Sequence, residues 1–462
     1  MSIGEYFPNI TCLRIATPVW NQMSVLAGNL HQFPLLSEIN LSGAGLNDEM
    51  VIELTGALSQ FNQLRQLNLR CNDITEIGAR ALSKVFPGID SLTHLDVSYN
   101  EIGDGGLKEI ATHLPVLKLI KALLLGCNKI KCSGAKALAL AVPYLQNLEW
   151  LDLKKNSISD EGLSAFAVIS SQVMSLTEID LSANSLCIKA MNEPLELPAL
   201  KSLNLSYNSL DAGEAQSLMT ILAPLTGLEQ FDISGNDLGA EYIICMTNTL
   251  IQMKKLVDLD ISSNELGDEG AKAIAKVIAE LPSLQYLDVS DNEINDDGVV
   301  ALSIGMQGVK TLLEFRVCEN QMGDRGAAAL SEALAQNTGQ LIKLDVSLNA
   351  ICDDGVVSIS AALPYLPKLE KLDISTNSIG TIGAIALAEA LSRQTSLRKL
   401  SLLENDIKSE GVIALANVLP TTNLKVIWIN NSAYCKKNEV DSSALEALQN
   451  AQQQCPYIKM FY

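Results

Sequence analysis

Asparagine recurs along the chain at a nearly constant interval, each time at the end of the pattern L-x-x-L-x-L-x-x-N or a conservative variant of it. The first full copy contains Leu64, Leu67, Leu69 and Asn72. Later copies end at Asn100, Asn128, Asn156, Asn184, Asn208, Asn236, Asn264, Asn292, Asn320, Asn349, Asn377 and Asn405. Ten of the twelve intervals are 28 residues, and the other two are 24 and 29. So regular a period predicts a stack of similar structural units.

The two halves of each repeat differ in the spacing of their apolar residues. Alternating leucines in the first half predict a short strand, because side chains two residues apart point the same way in a strand. In the second half an Ile or Leu is followed four residues later by Gly, and apolar residues then recur at helical spacing, as in Ala271, Ile274 and Ile278. Each repeat is therefore predicted to form strand, turn, helix and turn. With weaker copies near both ends, from Leu13 to Ile458, the pattern predicts seventeen strands.

The different widths of strands and helices constrain the shape of such a stack. Parallel strands lie about 4.8 Å apart, whereas packed helices need roughly 8–10 Å. A stack with strands on one side and helices on the other must therefore curve. We expect an α/β solenoid shaped as a horseshoe, with a parallel β-sheet on the concave face and α-helices on the convex face.

This pattern resembles the ribonuclease-inhibitor-like subfamily of leucine-rich-repeat proteins, which also includes the GTPase-activating protein for Ran and the sensor regions of NOD-like receptors. The resemblance covers roughly residues 10–434 and implies the solenoid fold. It implies little about function, because the motif is architectural. The chain departs from ribonuclease inhibitor itself, since cysteine is sparse and a single 28-residue repeat type dominates.

The repeats are predicted to span residues 36–434, between an N-terminal cap with a degenerate repeat at 1–35 and a C-terminal cap at 435–462. We expect the C-terminal cap to contain a helix that starts after Asp441, a good N-cap residue, and a final strand. Pro194 and a second proline interrupt the 24-residue repeat, which predicts that its helix is lost. The sequence leaves open whether this repeat is a hinge or a decayed copy.

The chain has a formal net charge of −20, from 53 acidic and 33 basic residues. Such a charge repels nucleic-acid phosphates and anionic membranes, so neither is expected as a partner. The charge favours another protein with a basic surface as the partner. The alternative is that the negative charge only keeps the protein soluble. We expect the protein to be a monomer.

The ten cysteines form no CxxC pair and no even framework, which fits free thiols in a reducing compartment. The N-terminus has no signal-peptide pattern, and no stretch of 18 apolar residues occurs. A cytoplasmic location is therefore predicted. Stand-alone repeats of this kind also resemble effectors that intracellular bacteria deliver into host cells, which would place the protein in the host cytosol.

No motif for catalysis, metal binding or cofactor binding is present, and the three histidines are His31, His94 and His113, whose spacing builds no cluster. The pair Cys352-Asp353 is similar to the catalytic cysteine of bacterial leucine-rich-repeat ubiquitin ligases. Those ligases carry a separate catalytic domain, for which this chain has no room. We therefore predict a protein that is not an enzyme and needs no cofactor.

Aspartate recurs between the two leucines of L-x-L, where a side chain points away from the core. These residues are Asp96, Asp152, Asp180, Asp232, Asp260, Asp288, Asp345 and Asp373. Serine recurs two residues later in most repeats. We interpret both series as the consensus of the repeat. Stacked carboxylates create a negative field, so a cation-binding groove is the alternative.

Residues that depart from this consensus on the predicted concave face are candidates for partner binding, because Trp, Tyr and Arg dominate binding hot spots. The C-terminal candidates are Arg316, Glu319, Lys343, Leu348, Lys371, Lys399, Leu403, Glu404, Trp428 and Tyr434. The N-terminal candidates are Arg70, Tyr99, Trp150 and Lys154. Drift of the consensus is the alternative for both groups.

The sequence therefore favours a protein-binding scaffold that engages a partner protein on its concave face, in the cytoplasm or, for a secreted bacterial effector, in a host cell. The alternative is a regulator of a small GTPase that resembles the Ran-specific GTPase-activating protein. Nothing can be carried over residue by residue from that protein, so no catalytic site is proposed for the alternative.

Overall fold

The computed structural model of the chain describes residues 9–15, 23–188, 191, 193–210, 215–337, 339–430, 438 and 440–462. The chain divides into two compact units. The first comprises residues 1–210 and 216–228, and the second comprises residues 211–215 and 229–462. Each unit alternates short strands with helices, as the repeat pattern predicts.

The first unit contains eight three-residue strands among its described residues. They are β1 Cys12–Arg14, β2 Glu38–Asn40, β3 Gln66–Asn68, β4 His94–Asp96, β5 Ala122–Leu124, β6 Trp150–Asp152, β7 Glu178–Asp180 and β8 Ser202–Asn204. Each strand pairs in parallel with the next along the chain, in a constant register that aligns first residue with first residue. The helices are α1 Met23–Asn29, α2 Asp48–Leu58, α3 Glu76–Ser83, α4 Gly103–His113, α5 Cys132–Ala141, α6 Asp160–Ile169 and α7 Ala215–Leu222.

The second unit continues the pattern with nine strands. They are β9 Gln230–Asp232, β10 Asp258–Asp260, β11 Tyr286–Asp288, β12 Glu314–Arg316, β13 Lys343–Asp345, β14 Lys371–Asp373, β15 Lys399–Ser401, β16 Val426–Trp428 and β17 Lys459–Phe461. These strands also pair in parallel and in chain order. The helices are α8 Gly239–Ile251, α9 Gly267–Ile278, α10 Asp296–Met306, α11 Asp324–Asn337, α12 Asp353–Ala362, α13 Thr381–Leu391, α14 Ser409–Val418 and α15 Ser442–Gln454.

The core of each unit lies between the strands and the helices. The middle residue of a strand points into it, as shown by Leu67, Phe231 and Phe315, which are all nearly inaccessible to solvent. The apolar stripe of each helix covers the core from the other side; Ile274 and Ile278 of α9 are fully buried there. The alternation predicted from the leucine spacing is thereby confirmed.

The asparagine that closes each repeat ties its own turn to the preceding repeat. Asn292 is fully buried. Its Nδ2 donates hydrogen bonds to the carbonyl oxygens of Val289 in its own repeat (3.1 Å) and Ile261 in the preceding repeat (3.0 Å). Its Oδ1 accepts the backbone N–H of Asn264 in the preceding repeat at 2.9 Å. One amide thus satisfies buried backbone groups of two repeats, which a hydrophobic side chain could not do.

An aspartate in the first turn of several helices makes a second link, in the opposite direction. Oδ1 of Asp268 in α9 accepts the backbone N–H groups of Asn295 (2.8 Å) and Gly298 (2.9 Å) at the start of α10. These N–H groups have no acceptor within their own helix, so the Asp268 carboxylate of the preceding repeat acts as their hydrogen-bond acceptor. A Cβ on Gly298 would lie 2.7 Å from Asp268 Oδ1, which explains the recurrent glycine of the helical half.

Two predictions about irregular regions can be compared with the structure. Among the described residues between β7 and β8, none is helical, which confirms the loss of the helix near Pro194. Helix α15 follows Asp441, whose Oδ1 accepts the backbone N–H groups of Ser443 and Ala444, both at 2.9 Å, so the predicted N-cap is confirmed. The caps at 1–35 and 435–462 stay proposals.

The register predicted for the final strand is wrong by two residues. The spacing of the tail aligned Ile458 with the middle position of the other strands, but Met460 pairs there with Ile427 of β16. The backbone N–H of Ile458 instead bonds to the carbonyl oxygen of Cys455 at 3.0 Å in a turn. This turn places buried Ile458 before the strand, so Phe461 rather than Lys459 lies beside Trp428 of β16.

The asparagine links predict a large loss of stability on truncation. Asn292→Ala is expected to lower the free energy of unfolding by roughly 3 kcal/mol, because it leaves several buried backbone groups without a partner. Chemical denaturation measures the difference. Asn295→Ala is the control, since Asn295 is exposed and its amide donates to the Glu293 carbonyl oxygen at 3.2 Å. The control should change stability by no more than about 0.5 kcal/mol. Similar losses in both variants would contradict the linking role of Asn292.

Candidate functional site

The strands of each unit present two lanes of side chains away from the helices. The first residue of every strand forms the first lane and the third residue forms the second lane, because side chains alternate along a strand. A third lane follows two residues after each strand. We call this surface the sheet face; it is the surface that the sequence predicts to be concave.

Aspartates of the second lane have a local structural role. Oδ1 of Asp180 accepts the backbone N–H of Ser182 at 3.0 Å and its hydroxyl at 2.6 Å. Asn204 makes the same two bonds to Ser206, at 2.9 and 2.7 Å. At this position an amide oxygen therefore serves as well as a carboxylate oxygen. This equivalence supports the interpretation of the aspartate and serine series as consensus, since the turn needs an acceptor and not a charge.

Carboxylates crowd together on the sheet face at the start of the second unit. They line a recess of about 190 Å³ formed by Asp258, Asp260, Tyr286, Leu287, Asp288, Glu314 and Arg316. Burial, with the nearby charges of Asp288 and Asp232, raises the pKa of Asp260 to about 6, although bonds from Ser262 oppose the rise. Within the described residues, no cation pairs with Asp258 or Asp260. The recess is therefore a region of uncompensated negative charge.

Arg316 and Lys343 meet on one carboxylate at the border of this recess. Arg316 Nε and Lys343 Nζ both donate to Glu314 Oε1, the latter at 3.0 Å, and Arg316 Nη1 lies 3.5 Å from Asp288 Oδ2. Burial opposes ionisation of Glu314, yet these hydrogen bonds hold its pKa below the ordinary value. The two predicted site residues thus form one neutralised network.

Other C-terminal candidates are separate from that network. Lys371 and Lys399 are exposed in the first lane, and Leu403 is half-buried in the third lane. The turns before the asparagines contain Glu319, Leu348 and Glu404, each with a positive φ between 52° and 55°.

Trp428 forms an aromatic stack at the end of the second lane. Its ring lies on that of Phe461, with centroids 5.8 Å apart and planes at 10°. Phe461 is 46% exposed. Sequence reasoning missed Phe461 as a site residue, because the predicted register placed Lys459, and not Phe461, beside Trp428 in the second lane. Tyr434 lies outside the described residues.

The N-terminal candidates cluster on β3 to β7 of the first unit. The guanidinium of Arg70 lies over the ring of Tyr99, 4.1 Å from its centroid. Lys154 Nζ lies 3.2 Å from Asp152 Oδ2 and 3.6 Å from Asp180 Oδ2. These contacts fix the two cationic side chains in place.

Trp150 is half-buried in the first lane between Ala122 and Glu178 of the adjacent strands. Sequence reasoning missed two small or apolar departures beside it, Leu124 in the second lane and Gly126 in the third. A Cβ on Gly126 would lie 3.0 Å from Asp152 Oδ1, so the glycine makes room for that buried carboxylate. The sequence Leu-Leu-Leu-Gly in place of Leu-Asp-Leu-Ser was the signal available.

Cys352 does not have the surroundings of a catalytic thiol. Cys352 is an exposed residue. Partial desolvation of its sulfur and the nearby negative charges of Asp324 and Asp353 raise the pKa of its thiol. A reactive cysteine needs a positive environment that lowers the pKa. Among the described residues, no group of His, Cys, Asp or Glu side chains is arranged to hold a metal ion. No helix in the same residues is long and apolar enough to span a membrane.

The raised pKa of Asp260 predicts a gain of stability when its charge is removed. The folded pKa of about 6 exceeds the ordinary value of 3.8, so the folded state binds more protons between these values and loses stability as the pH rises through them. Asp260→Asn keeps an acceptor for Ser262, as Asn204 does for Ser206. We expect a gain of about 1–2 kcal/mol at pH 7 and almost none near pH 4, measured by unfolding at both pH values.

Asp96→Asn is the matched control for this prediction. Asp96 accepts the same two bonds from Ser98, but its neighbours in the second lane are Asn68 and Leu124. Without adjacent carboxylates, the control should gain less than about 0.5 kcal/mol at either pH. Equal gains in both variants would show that crowding of charge is not the cause.

Comparisons with known proteins agree with the repeat architecture. The family model described as "Leucine Rich repeat" matches eight segments, at residues 62–83, 91–111, 144–167, 252–275, 280–303, 341–360, 365–388 and 393–416. No curated protein matches the chain. The matched segments occur in both units.

Solved structures similar to this chain include an internalin and a Toll-like receptor complex. An internalin from Listeria monocytogenes str. 4b F2365 is 20% identical, with 99% of this chain and 88% of that chain covered and a TM-score of 0.45. TLR13 in a complex with ssRNA13 is 17% identical, with 94% and 64% covered and a TM-score of 0.49. The family model matches eight separate segments of the chain, and the strand, turn and helix of each regular repeat agree with that match.

Proposed function

We propose that the chain is a non-enzymatic scaffold that binds a partner protein on its sheet face. Leucine-rich repeats are typical of protein–protein interaction. The leucine-rich-repeat model matches eight segments of the chain, and strands alternate with helices through almost all of the described residues. The observation that carries the proposal is the acidic recess of β10 to β12, which leaves carboxylates without cations on an open surface. Uncompensated charge on a surface attracts a partner of opposite sign and raises its rate of association. The recess therefore favours a basic partner.

Aromatic side chains on the same face support this proposal. Tyr286, in the wall of the recess, is 39% exposed. Tyr and Trp contribute large contact areas at protein interfaces and lose little conformational entropy on binding. On the first unit, Trp150 supplies such a group and Arg70 packs on the ring of Tyr99; we propose Trp150 and Arg70 as contacts as well.

The proposal predicts that a double variant of the recess loses its partner. Asp258→Lys with Tyr286→Ala should recover a basic partner from cell lysate at least about tenfold less well at low salt, because it removes both the charge and the aromatic contact. Quantitative mass spectrometry of the captured proteins measures the change. Higher salt should reduce capture by the wild-type protein.

Tyr365→Ala with Glu389→Lys is the matched control for this experiment. It makes the same changes of charge and ring at exposed residues on the helix side, which line a different pocket. The control should retain the wild-type partners. If the recess variant captures the same proteins as the wild type, the acidic recess is not the binding surface.

A cytoplasmic location is part of this proposal. All nine described cysteines are free thiols, which supports a reducing compartment. Two further predictions remain: action in a host cell as a bacterial effector, and regulation of a small GTPase. No described group of residues favours either of them. A GTP hydrolysis assay across a panel of small GTPases separates the regulator from the scaffold, since a scaffold would not accelerate the reaction.

A further inference from the structure

The first lane of the second unit changes sign along the sheet. Asp258 and Glu314 lie at its start, and Lys343, Lys371 and Lys399 follow in direct register on β13, β14 and β15. The lane continues through Val426 of β16 to Lys459 of β17. A chain with a net charge of −20 thus has a row of lysines on one part of its sheet face.

Most of this lysine row lacks anionic partners. Lys343 is neutralised by Glu314, at 3.0 Å. In the part of the chain that the structure describes, Lys371, Lys399 and Lys459 make no ion pair, and all three are exposed. Neighbouring strands place equivalent side chains about 5 Å apart, where like charges repel. The row is therefore unfavourable for folding.

The second lane changes character beside the same lysines. It contains aspartate up to Asp373 on β14 and then Ser401, Trp428 and Phe461. The last two rings form the exposed stack described above. We call Lys371, Lys399, Lys459, Trp428 and Phe461 the lysine–aromatic surface. Arg398 and Lys425 precede strands β15 and β16 and add positive charge at its rim, against Glu370 before β14 and Glu404 in the turn after β15.

The lysines have no internal role that would explain this arrangement. Aspartates of the second lane accept backbone hydrogen bonds, as Asp373 does from the N–H of Ser375 at 3.0 Å. No hydrogen bond joins the ammonium group of Lys371 or Lys399 to another described residue. A local arrangement that opposes stability without an internal compensation is typical of a functional surface.

We propose that the lysine–aromatic surface binds an acidic segment of a partner protein, with a planar side chain of that segment stacked against Trp428 and Phe461. The proposal rests on the proposed function and extends it, because it assigns a second type of contact to the same sheet face. Charge complementarity supports the carboxylates of the segment, and the exposed stack supports its aromatic residue.

A peptide fits this surface better than a nucleic acid does. Asp345 and Asp373 lie in the adjacent lane, and the whole chain is strongly acidic. The continuous phosphate backbone of a nucleic acid would be repelled by both. A peptide can instead place separate carboxylates against Lys371 and Lys399 while it leaves the aspartates uncontacted.

Fluorescence anisotropy with the full chain tests the proposal at low salt. The probes are a labelled hexaglutamate with a central tryptophan, the same peptide with alanine in place of tryptophan, a lysine peptide with tryptophan, and a single-stranded oligouridylate. The tryptophan–glutamate peptide should bind several-fold more tightly than its alanine counterpart, and oligouridylate should not bind. Phe461→Ala should remove the preference for tryptophan.

The decisive variant is K371E/K399E, which should weaken binding of the acidic peptide by at least about tenfold. Its melting temperature should not fall, because the two lysines make no ion pair to lose. K118E/K310E is the matched control: it makes the same change of net charge at exposed lysines away from the sheet face, and it should bind within about twofold of the wild type. Equal weakening by both variants would overturn the proposal, as would binding of oligouridylate in preference to the peptides.

The two proposals can fail separately. Partner capture from lysate by K371E/K399E should be reduced, as it is for the recess variant. If the recess variant loses its partners while K371E/K399E keeps them all, the acidic-segment proposal is wrong and the scaffold proposal stands. If neither variant loses a partner, the sheet face is not the docking surface and both proposals are wrong.

Discussion

The buried amide of the repeat asparagine is the interaction on which the rest of the structure depends. Each turn from strand to helix exposes backbone N–H and C=O groups inside the stack, where no water can satisfy them. Asn292 satisfies such groups in its own repeat and in the preceding one at the same time. This position needs a side chain of this length that carries both a donor and an acceptor. The requirement explains why the chain keeps asparagine at this position through every regular repeat.

Because the asparagines fix the register, every strand presents its outer residues in line with those of its neighbours. The consensus uses these positions for local bonds, such as those from Asp180 and Asn204 to the serines that follow. Charge is not required for that purpose. Where carboxylates or lysines accumulate beyond this local need, as at Asp258 and Lys371, the sheet face has electrostatic properties that can select a partner.

The repeat architecture could be predicted from sequence because one residue pattern determines both the strand and its neighbours. The positions of the outward-facing lanes followed from the alternation of leucines along each strand. Arg316 and Lys343 were therefore predicted on the outer surface of the strands, where the structure has them. Their meeting on Glu314 could not be predicted, since it depends on which rotamers neighbouring long side chains adopt.

Prediction failed where the spacing changed or where a small residue was the signal. The shorter turn before β17 shifted its register by two residues, so Phe461 rather than Lys459 lies beside Trp428. Gly126 was overlooked because its importance arises from the buried Asp152 carboxylate of the next repeat, which packs against it. Such contacts between repeats 28 residues apart require the three-dimensional stack.

The links between repeats run in both directions along the chain. Asn292 serves the repeat before it, whereas Asp268 serves the helix after it. An interior repeat that unfolded alone would therefore leave backbone N–H and C=O groups without partners in both neighbouring repeats. A terminal repeat that unfolded would break hydrogen bonds to only one neighbour. Opening should accordingly begin at the ends of a run of repeats and travel inwards, so that slow exchange of backbone amide hydrogens is concentrated in its middle.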